Sequence, residues 1–329
     1  MSTSGARAAS LLAAFLGAAL WAVGVASAQT YPARPIIMYV AFPPGGVDDA
    51  VARIIQPALQ NALNQTIIIE NAGGAGGMIA ASRAARAAPD GYTILLHQDA
   101  LAAGMTLYRD LTFDAVRDFV PIGLINNAVT TLAARPTLAA NNLDELLKWA
   151  KEPGRTIKFG HPGVGSFGHL ADSLICQELG LTVTQVPYRG AGPALVDLLA
   201  GQVDLSIIGG VVAAPLVKAG KLKAYALTGS QEFAGLPGLK TFPALGYKKL
   251  DINFWHALFA PAGTPPAVVS KINADTNKIL ADTDMKERAT KLGFRLVGGT
   301  PEQLGAHLRS EIDKWAKVAK AAGLVGAKD

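Results

Sequence analysis

Two α/β lobes, each a doubly wound and mostly parallel sheet with helices on both faces, are predicted by three observations. Short β-rich runs alternate with helical patterns, that grammar restarts after Pro136, and the last third is almost wholly helical. Alternation of this kind builds βαβ units, whose right-handed crossovers place helices on both faces of a sheet. In the first unit, Pro35 to Ala41, Thr66 to Glu70 and Thr93 to His97 read as strands, with helices at Asp48 to Leu63 and Ala75 to Ala88. In the second, helices fall at Leu143 to Lys151, Ser166 to Leu179 and Ala191 to Ala200. Its strands fall at Thr156 to Gly160, Thr182 to Pro187, Asp204 to Gly209 and Lys223 to Thr228. From Pro265 to Ala321 only a brief strand near Phe294 to Val297 interrupts the helices, so this block has to pack on an earlier lobe. The chain is therefore expected to cross between lobes near Val129 to Ala134 and near Asn253 to Ala260. That assigns residues 29–131 and 256–329 to the first lobe and 132–255 to the second.

The start of the chain is expected to be an export signal. Arg7 supplies positive charge, an apolar run extends from Leu11 to Val25, and Ala26-Ser27-Ala28 puts small residues before a cleavage point after Ala28. The run is shorter than the roughly 20 residues that span a bilayer. The expected location is the periplasm. Half of the 329 residues are hydrophobic and 17% are charged, a globular composition. The formal charge of +5 is scattered along the chain, which weakly favours small anions and does not indicate nucleic acid. Cys176 is the single cysteine, so no intrachain disulfide forms, and its apolar helical setting reads as a buried, inert thiol.

Three glycine-rich turns each join a predicted strand to a predicted helix. Pro43-Pro44-Gly45-Gly46-Val47-Asp48-Asp49 comes first, and the free amides of the helix behind it would face any anion above them. The plainer interpretation is a tight turn with Asp48 or Asp49 as N-cap. Asn71-Ala72-Gly73-Gly74-Ala75-Gly76-Gly77 repeats the arrangement, as an amide nest or as a simple loop, without the Gly-Lys-Ser/Thr of a P-loop. Gly163-Val164-Gly165-Ser166-Phe167-Gly168 has dinucleotide-like spacing but no acidic residue about 20 positions on. It reads better as a second anion-cradling turn, to which the Ser166 hydroxyl adds a donor. A nucleophile elbow needs glycine two positions before the serine, where Val164 intrudes on the pattern. His97 with Asp99, and His161 with His169, lack metal-site spacing. Neither metal nor cofactor is expected.

Taken in order, these motifs identify a family. Tyr31-Pro32-Ala33-Arg34-Pro35, Pro44-Gly45-Gly46 with Asp49 and Ala52-Arg53, Glu70-Asn71 with Gly73 to Gly77, and Ala88-Pro89-Asp90-Gly91-Tyr92 resemble the tripartite tricarboxylate transporter substrate-binding proteins, the Bug or TctC-type receptors. Gly165-Ser166 with His169-Leu170, Val186 to Gly190, Gly201 to Leu205, Ala219 to Leu222, Leu258 to Pro265 and Gly298 to Glu302 extend the likeness over the mature chain. The resemblance implies a periplasmic binding protein-like fold and a monomeric receptor. Such a receptor closes on a small carboxylate and delivers it to a membrane permease. It also implies that the turns at Pro44, Gly45, Gly46, Val47 and Asp48 and at His161 to Ser166, Gly165 included, face each other across the cleft.

Three departures bear on the ligand. Asp48 stands where the family commonly has a small residue, His161-Pro162 where it has Ser-Ser, and Ile208-Gly209 where many relatives carry a polar pair. An acidic Asp48 facing a carboxylate would repel it, so it either caps its own helix and faces away or, turned inward, supplies the acidic partner that an amino group in the cleft would need. A ligand body would then pack between Phe42, Tyr188 and Trp255, with Ile208 and Gly209 forming a small apolar wall. An aliphatic or aromatic mono- or dicarboxylate is favoured over an amino acid or a citrate-like polyanion. The alternatives are a periplasmic enzyme with His161 as general base, for which no orienting third group is apparent, and a receptor docked on a signalling protein.

Overall fold

The computed structural model describes residues 31–326. The predicted signal segment and its cleavage point lie outside the described residues. From Arg34 onward the chain forms two sheets flanked by helices. The first sheet comprises β1 (Ile36–Val40), β2 (Ile67–Asn71), β3 (Thr93–Gln98), β4 (Phe119–Ala128), β10 (Phe254–Pro261) and β11 (Phe294–Leu296), in the order β11-β4-β10-β3-β1-β2. The second comprises β5 (Thr130–Ala134), β6 (Ile157–His161), β7 (Val183–Pro187), β8 (Leu205–Gly209) and β9 (Lys223–Leu227), in the order β7-β6-β8-β5-β9.

Helices follow the strands as the pattern implies. They are α1 (Val47–Leu63), α2 (Met78–Ala85), α3 (Ala100–Leu107), α4 (Leu143–Ala150), α5 (Phe167–Leu179), α6 (Ala191–Leu199), α7 (Gly210–Lys218), α8 (Pro266–Ala281), α9 (Thr283–Lys291) and α10 (Pro301–Ala321). Amphipathic spacing explains their seating. In α1, Val51, Ala52, Ile55, Leu59 and Leu63 are buried at three- and four-residue intervals, and in α4 Leu143, Leu146 and Trp149 repeat the rule. The terminal helices pack on the first lobe, α8 against β4 and α1, and α10 against α3 and β4. The end of the chain also reaches α5 of the second lobe through α10.

The sheets are mixed. β1, β2 and β3 are parallel neighbours, as are β7, β6 and β8, but β10 runs antiparallel to β3 and β4, and β5 antiparallel to β8 and β9. β11 is likewise antiparallel to β4, and of these antiparallel members β5 and β10 are the segments that carry the chain between lobes. A strand that leaves one sheet and continues into the next without a crossover helix enters against the local direction. Thr130 to Ala134, expected as a crossing, is therefore strand β5, and Phe254 to Ala260 is most of β10. The first crossing shrinks to Val129, whose carbonyl accepts the Gly210 N–H at 2.8 Å. Beside it the Thr130 and Thr228 hydroxyls meet at 2.6 Å, tying the outgoing chain to the returning one.

Two other elements depart from expectation. The helix expected from Ala75 begins as a single 3₁₀ turn at Ala75–Gly77 with Gly76 at φ 60°, and the α-helix proper starts at Met78. A left-handed residue cannot continue an α-helix, so the glycines end the turn before the helix can begin. The first helix begins at Val47, with Gly46 and not an aspartate as its N-cap.

Candidate functional site

In an α/β sheet the loops that leave the carboxyl ends of parallel strands collect along one edge, where ligands bind. β1, β2 and β3 send the 41–46, 72–77 and 99 turns to the edge of the first sheet. β6, β7 and β8 send the 162–166, 188–190 and 209 turns to the edge of the second. The helices behind five of these turns start without a side-chain cap, with Gly46, Gly77, Asp99, Gly190 and Gly209 at their N-cap positions. Helices starting elsewhere are closed. Asn142 caps α4, Asp282 caps α9, and Thr300 forms a capping box with Gln303 at α10, while α8 begins with Pro266, which has no N–H to satisfy. The open donors of the first turns are thus concentrated at the sheet edges.

The first turn is held from below. Asn71 Nδ2 donates to the Phe42 carbonyl at 2.9 Å, and a Cβ on Gly73 would lie 2.8 Å from the Pro43 ring, so the 42–46 and 71–77 turns are packed together. Pro44, Gly45, Gly46 and Val47 are exposed and Phe42 is half-buried, its ring edge-on to His97 at 6.3 Å. Gly45, at φ +79°, is the position that requires glycine, whereas Gly46 at φ −81° has ordinary backbone. Asp49 Oδ2 accepts the Gly45 N–H at 2.9 Å and Arg53 Nε at 2.8 Å; the arginine bond holds its carboxyl below the usual range against the opposing effect of burial. Asp48 does not cap the helix or face away. It is 3% exposed, turned under the loop, with Oδ1 3.8 Å from His256 Nε2 and without a hydrogen-bond partner. The cap role is unavailable to it because helix α1 already begins at Val47, placing Asp48 within the first turn.

The second-lobe turn is organised around two stacked imidazoles. His161 and His169 lie 4.2 Å apart at 14°, and His169 Nδ1 accepts the Gly165 N–H at 3.1 Å. Burial pushes both histidines down, His169 to about 4, so both rings are neutral near pH 7. Ser166 does not offer a free donor. Its hydroxyl donates to the Gly163 carbonyl at 2.7 Å and accepts the His169 N–H at 3.3 Å, which makes it the N-cap of α5. Ser166→Ala is therefore expected to lower stability by about 1 kcal/mol. Urea unfolding checks this, and an unchanged midpoint would count against the cap.

Tyr188 borders the same turn. Its N–H bonds the His161 carbonyl at 2.9 Å, while its hydroxyl donates to Asp197 at 2.7 Å; burial and that carboxylate push the phenol up to about 12. Ile208 packs into the apolar cluster of the second lobe with Ala133, Leu198 and Val203, and only the backbone of Gly209, which is exposed, lies at the edge. Trp255 is fully buried and belongs to the core, not to a ligand wall. Its indole N–H bonds Glu311 at 3.2 Å on the far face of β10. Strand period two turns its neighbours the other way: Phe254 and His256 share a face at 4.9 Å, and Phe254 meets Phe167 of the second lobe at 5.2 Å.

Tyr108, at the end of α3, links turns from both lobes. A Cβ on Gly76 would lie 2.9 Å from its hydroxyl, and one on Gly165 would lie 3.9 Å from it and 3.1 Å from Leu107. Tyr108, Phe254, Asn126 and His256 were not visible as site residues in the sequence, since no local motif marks them.

Among the described residues no cluster of histidine, cysteine or carboxylate groups is arranged to hold a metal, and no helix is long and apolar enough to cross a membrane. Cys176 is buried, and burial together with Asp172 pushes its thiol well above the ordinary value.

Two α/β lobes with sheet-edge turns on each, joined by strands running from one sheet into the other, define the periplasmic binding protein-like class of solute receptor. The chain belongs to the tripartite tricarboxylate transporter family of receptors, which it matches over residues 51–324. It is 34% identical over 317 residues to protein BugT of Bordetella pertussis, covering 95% of this chain and 97% of that one. The structure of the periplasmic binding protein BugD superposes with a TM-score of 0.76 at 36% identity, covering 90% of this chain and 99% of that one. An R. palustris protein solved with adipate gives 0.79 at 31% identity, with coverage of 90% and 99%. The chain is a solute-binding receptor of this family.

Proposed function

We propose that this receptor works in the periplasm as a monomer, captures a small carboxylate in the cleft between its sheet edges, and delivers it to the membrane permease of a tripartite tricarboxylate-type transporter. The site consists of the 44–48 and 161–166 turns with Phe42, Tyr188 and the backbone at Gly209. The lobes divide at residues 131/132 and 255/256. One observation carries the reading: behind five of the six turns along the two sheet edges the helix N-termini lack a side-chain cap, α5 with Ser166 being the exception, whereas those elsewhere are closed by side chains or proline. An uncapped first turn attracts an anion, worth about 0.3 to 1 kcal/mol when exposed and up to about 2 when partly buried. Turns on both lobes acting on one ligand favour the closed arrangement. The bound molecule is an aliphatic or aromatic mono- or dicarboxylate, its body against Phe42 and the aromatic pair Phe254 and Phe167.

A thermal-shift panel of mono-, di- and tricarboxylates, amino acids and aromatic acids tests this. Binding at a hundred times Kd stabilises by about 2.7 kcal/mol, a shift of several degrees. Small-angle scattering should show contraction with the same acids. Failure of every acid to raise the melting temperature would overturn the reading.

A further inference from the structure

The first-lobe edge holds a feature that a plain anion site does not explain. Asp48 Oδ1 and His256 Nε2 face each other at 3.8 Å, beyond hydrogen-bond reach, and neither has a partner. Both side chains are at least nine-tenths buried. The imidazole is oriented from behind: His256 Nδ1 and Asn126 Oδ1 are 2.8 Å apart. With an amide oxygen as its partner Nδ1 is the donor, so in the neutral ring Nε2 is left an acceptor. Two acceptors thus converge on one gap under the turn whose open amides point at the cleft. Buried polar atoms without partners are rare, and a pair aimed at the same point calls for a shared donor.

No surrounding group is hydrogen-bonded to either atom. Asp49 is committed to Arg53 and the Gly45 N–H. His97 is a neutral ring whose Nδ1 accepts the Gln98 N–H at 2.9 Å. Both Asp99 oxygens are unpartnered, and burial pushes that carboxyl well up. Among the described residues no lysine or arginine pairs with Asp48, and Phe254 and Phe294 enclose the outer faces of His256 at 4.9 and 5.9 Å.

We propose that Asp48 and His256 form a subsite for a primary ammonium, so that the carboxylate this receptor selects carries an amino group on a carbon close to the carboxyl. The inference rests on the receptor reading above and reverses the preference against amino acids, which depended on Asp48 facing away. An ammonium donates to both acceptors at once and balances the Asp48 charge, while its carboxylate lies on the amides of the same helical turn. A hydroxyl offers a single proton and leaves one acceptor unmet. An unsubstituted acid leaves both unmet and places its charge beside Asp48.

Matched trios decide it: succinate, malate and aspartate; glutarate, 2-hydroxyglutarate and glutamate; 3-phenylpropionate, phenyllactate and phenylalanine. Calorimetry on the wild type should show the amino member of at least one trio binding tightest. In Asp48→Asn, which keeps the shape, its affinity should fall roughly 100-fold, while the unsubstituted partner stays the same or binds more tightly. Asp48→Ser should repeat the pattern, with melting curves confirming that both variants fold. Tighter binding of unsubstituted or hydroxy acids by the wild type overturns the subsite and leaves the receptor reading intact. So does an equal loss for all three members of a trio in both variants. Absence of binding by every member of every trio overturns both.

Discussion

Replacing Glu311 with alanine is expected to lower the stability of the folded chain by about 3 to 5 kcal/mol, the range for removing one partner of a buried charged network. Glu311 is 6% exposed on α10, and its Oε2 accepts two indole N–H groups, from Trp255 at 3.2 Å and Trp315 at 3.0 Å. Its other oxygen accepts from Lys314, whose ammonium also lies over the Trp315 ring. Alanine would leave two buried indole donors without acceptors and would open a void between α10 and β10. Glu311→Gln keeps an oxygen for the indoles and gives up only the charge facing Lys314, so its expected loss is about 1 to 2 kcal/mol. Urea unfolding of both variants separates the contributions. Equal losses would show that packing, and not the shared carboxylate, holds this contact.

The second large effect depends on pH. Asp172 is buried in α5; Gln185 and Ser173 donate to Oδ1 at 3.1 and 3.3 Å, and Oδ2 has no partner. Burial outweighs these bonds and pushes the carboxyl up to about 8. The folded pKa is thus raised above the unfolded one. Near pH 3.8 and below, both states hold the proton and Asp172 imposes no penalty. As pH rises toward 8 the unfolded chain ionises while the folded one does not, so stability is lost at up to about 1.4 kcal/mol per pH unit. Asp172→Asn fixes the neutral form, since its amide oxygen still accepts from Gln185. Its stability relative to wild type is expected to be near zero at pH 4 and to reach several kcal/mol at pH 8. A constant difference across denaturant titrations in that interval would place the ionisation elsewhere.

The elements legible in the sequence share a physical reason. Each short β-branched run beside an amphipathic helix carried its own periodicity, as in Ile67 to Asn71 or the α1 stripe. The illegible ones carried none. Ala100–Leu107 is apolar nearly all round because it is enclosed by α10 and by β3, so no face stands out. Gly210–Lys218 opens with glycine and two valines and contains Pro215, a composition that resembles a wall or a loop more than a helix. β5 and β10 looked like crossings because they are indeed where the chain changes lobes, and their register depends on partners distant in sequence. The same holds for the candidate site. The glycine turns were visible locally, whereas Asp48 meets His256 and Gly165 approaches Tyr108 only after the sheets assemble. Trp255 was misplaced for a related reason: nothing near it announces Glu311.

The strand order of the first sheet also sets a timetable. β10 lies in the middle of that sheet, between β4 and β3, yet it is contributed by residues 254–261, after every strand of the second sheet has been made. A chain emerging N-terminus first leaves β3 as an open edge and β4 without either neighbour until this late segment arrives. The second sheet, whose strands fall within residues 130–227, is complete well before then. The second lobe is thus placed to fold as a unit while the first waits with an open edge at β3 and an unpaired β4, the condition under which a chain is most vulnerable to edge-to-edge association and most dependent on a holding chaperone.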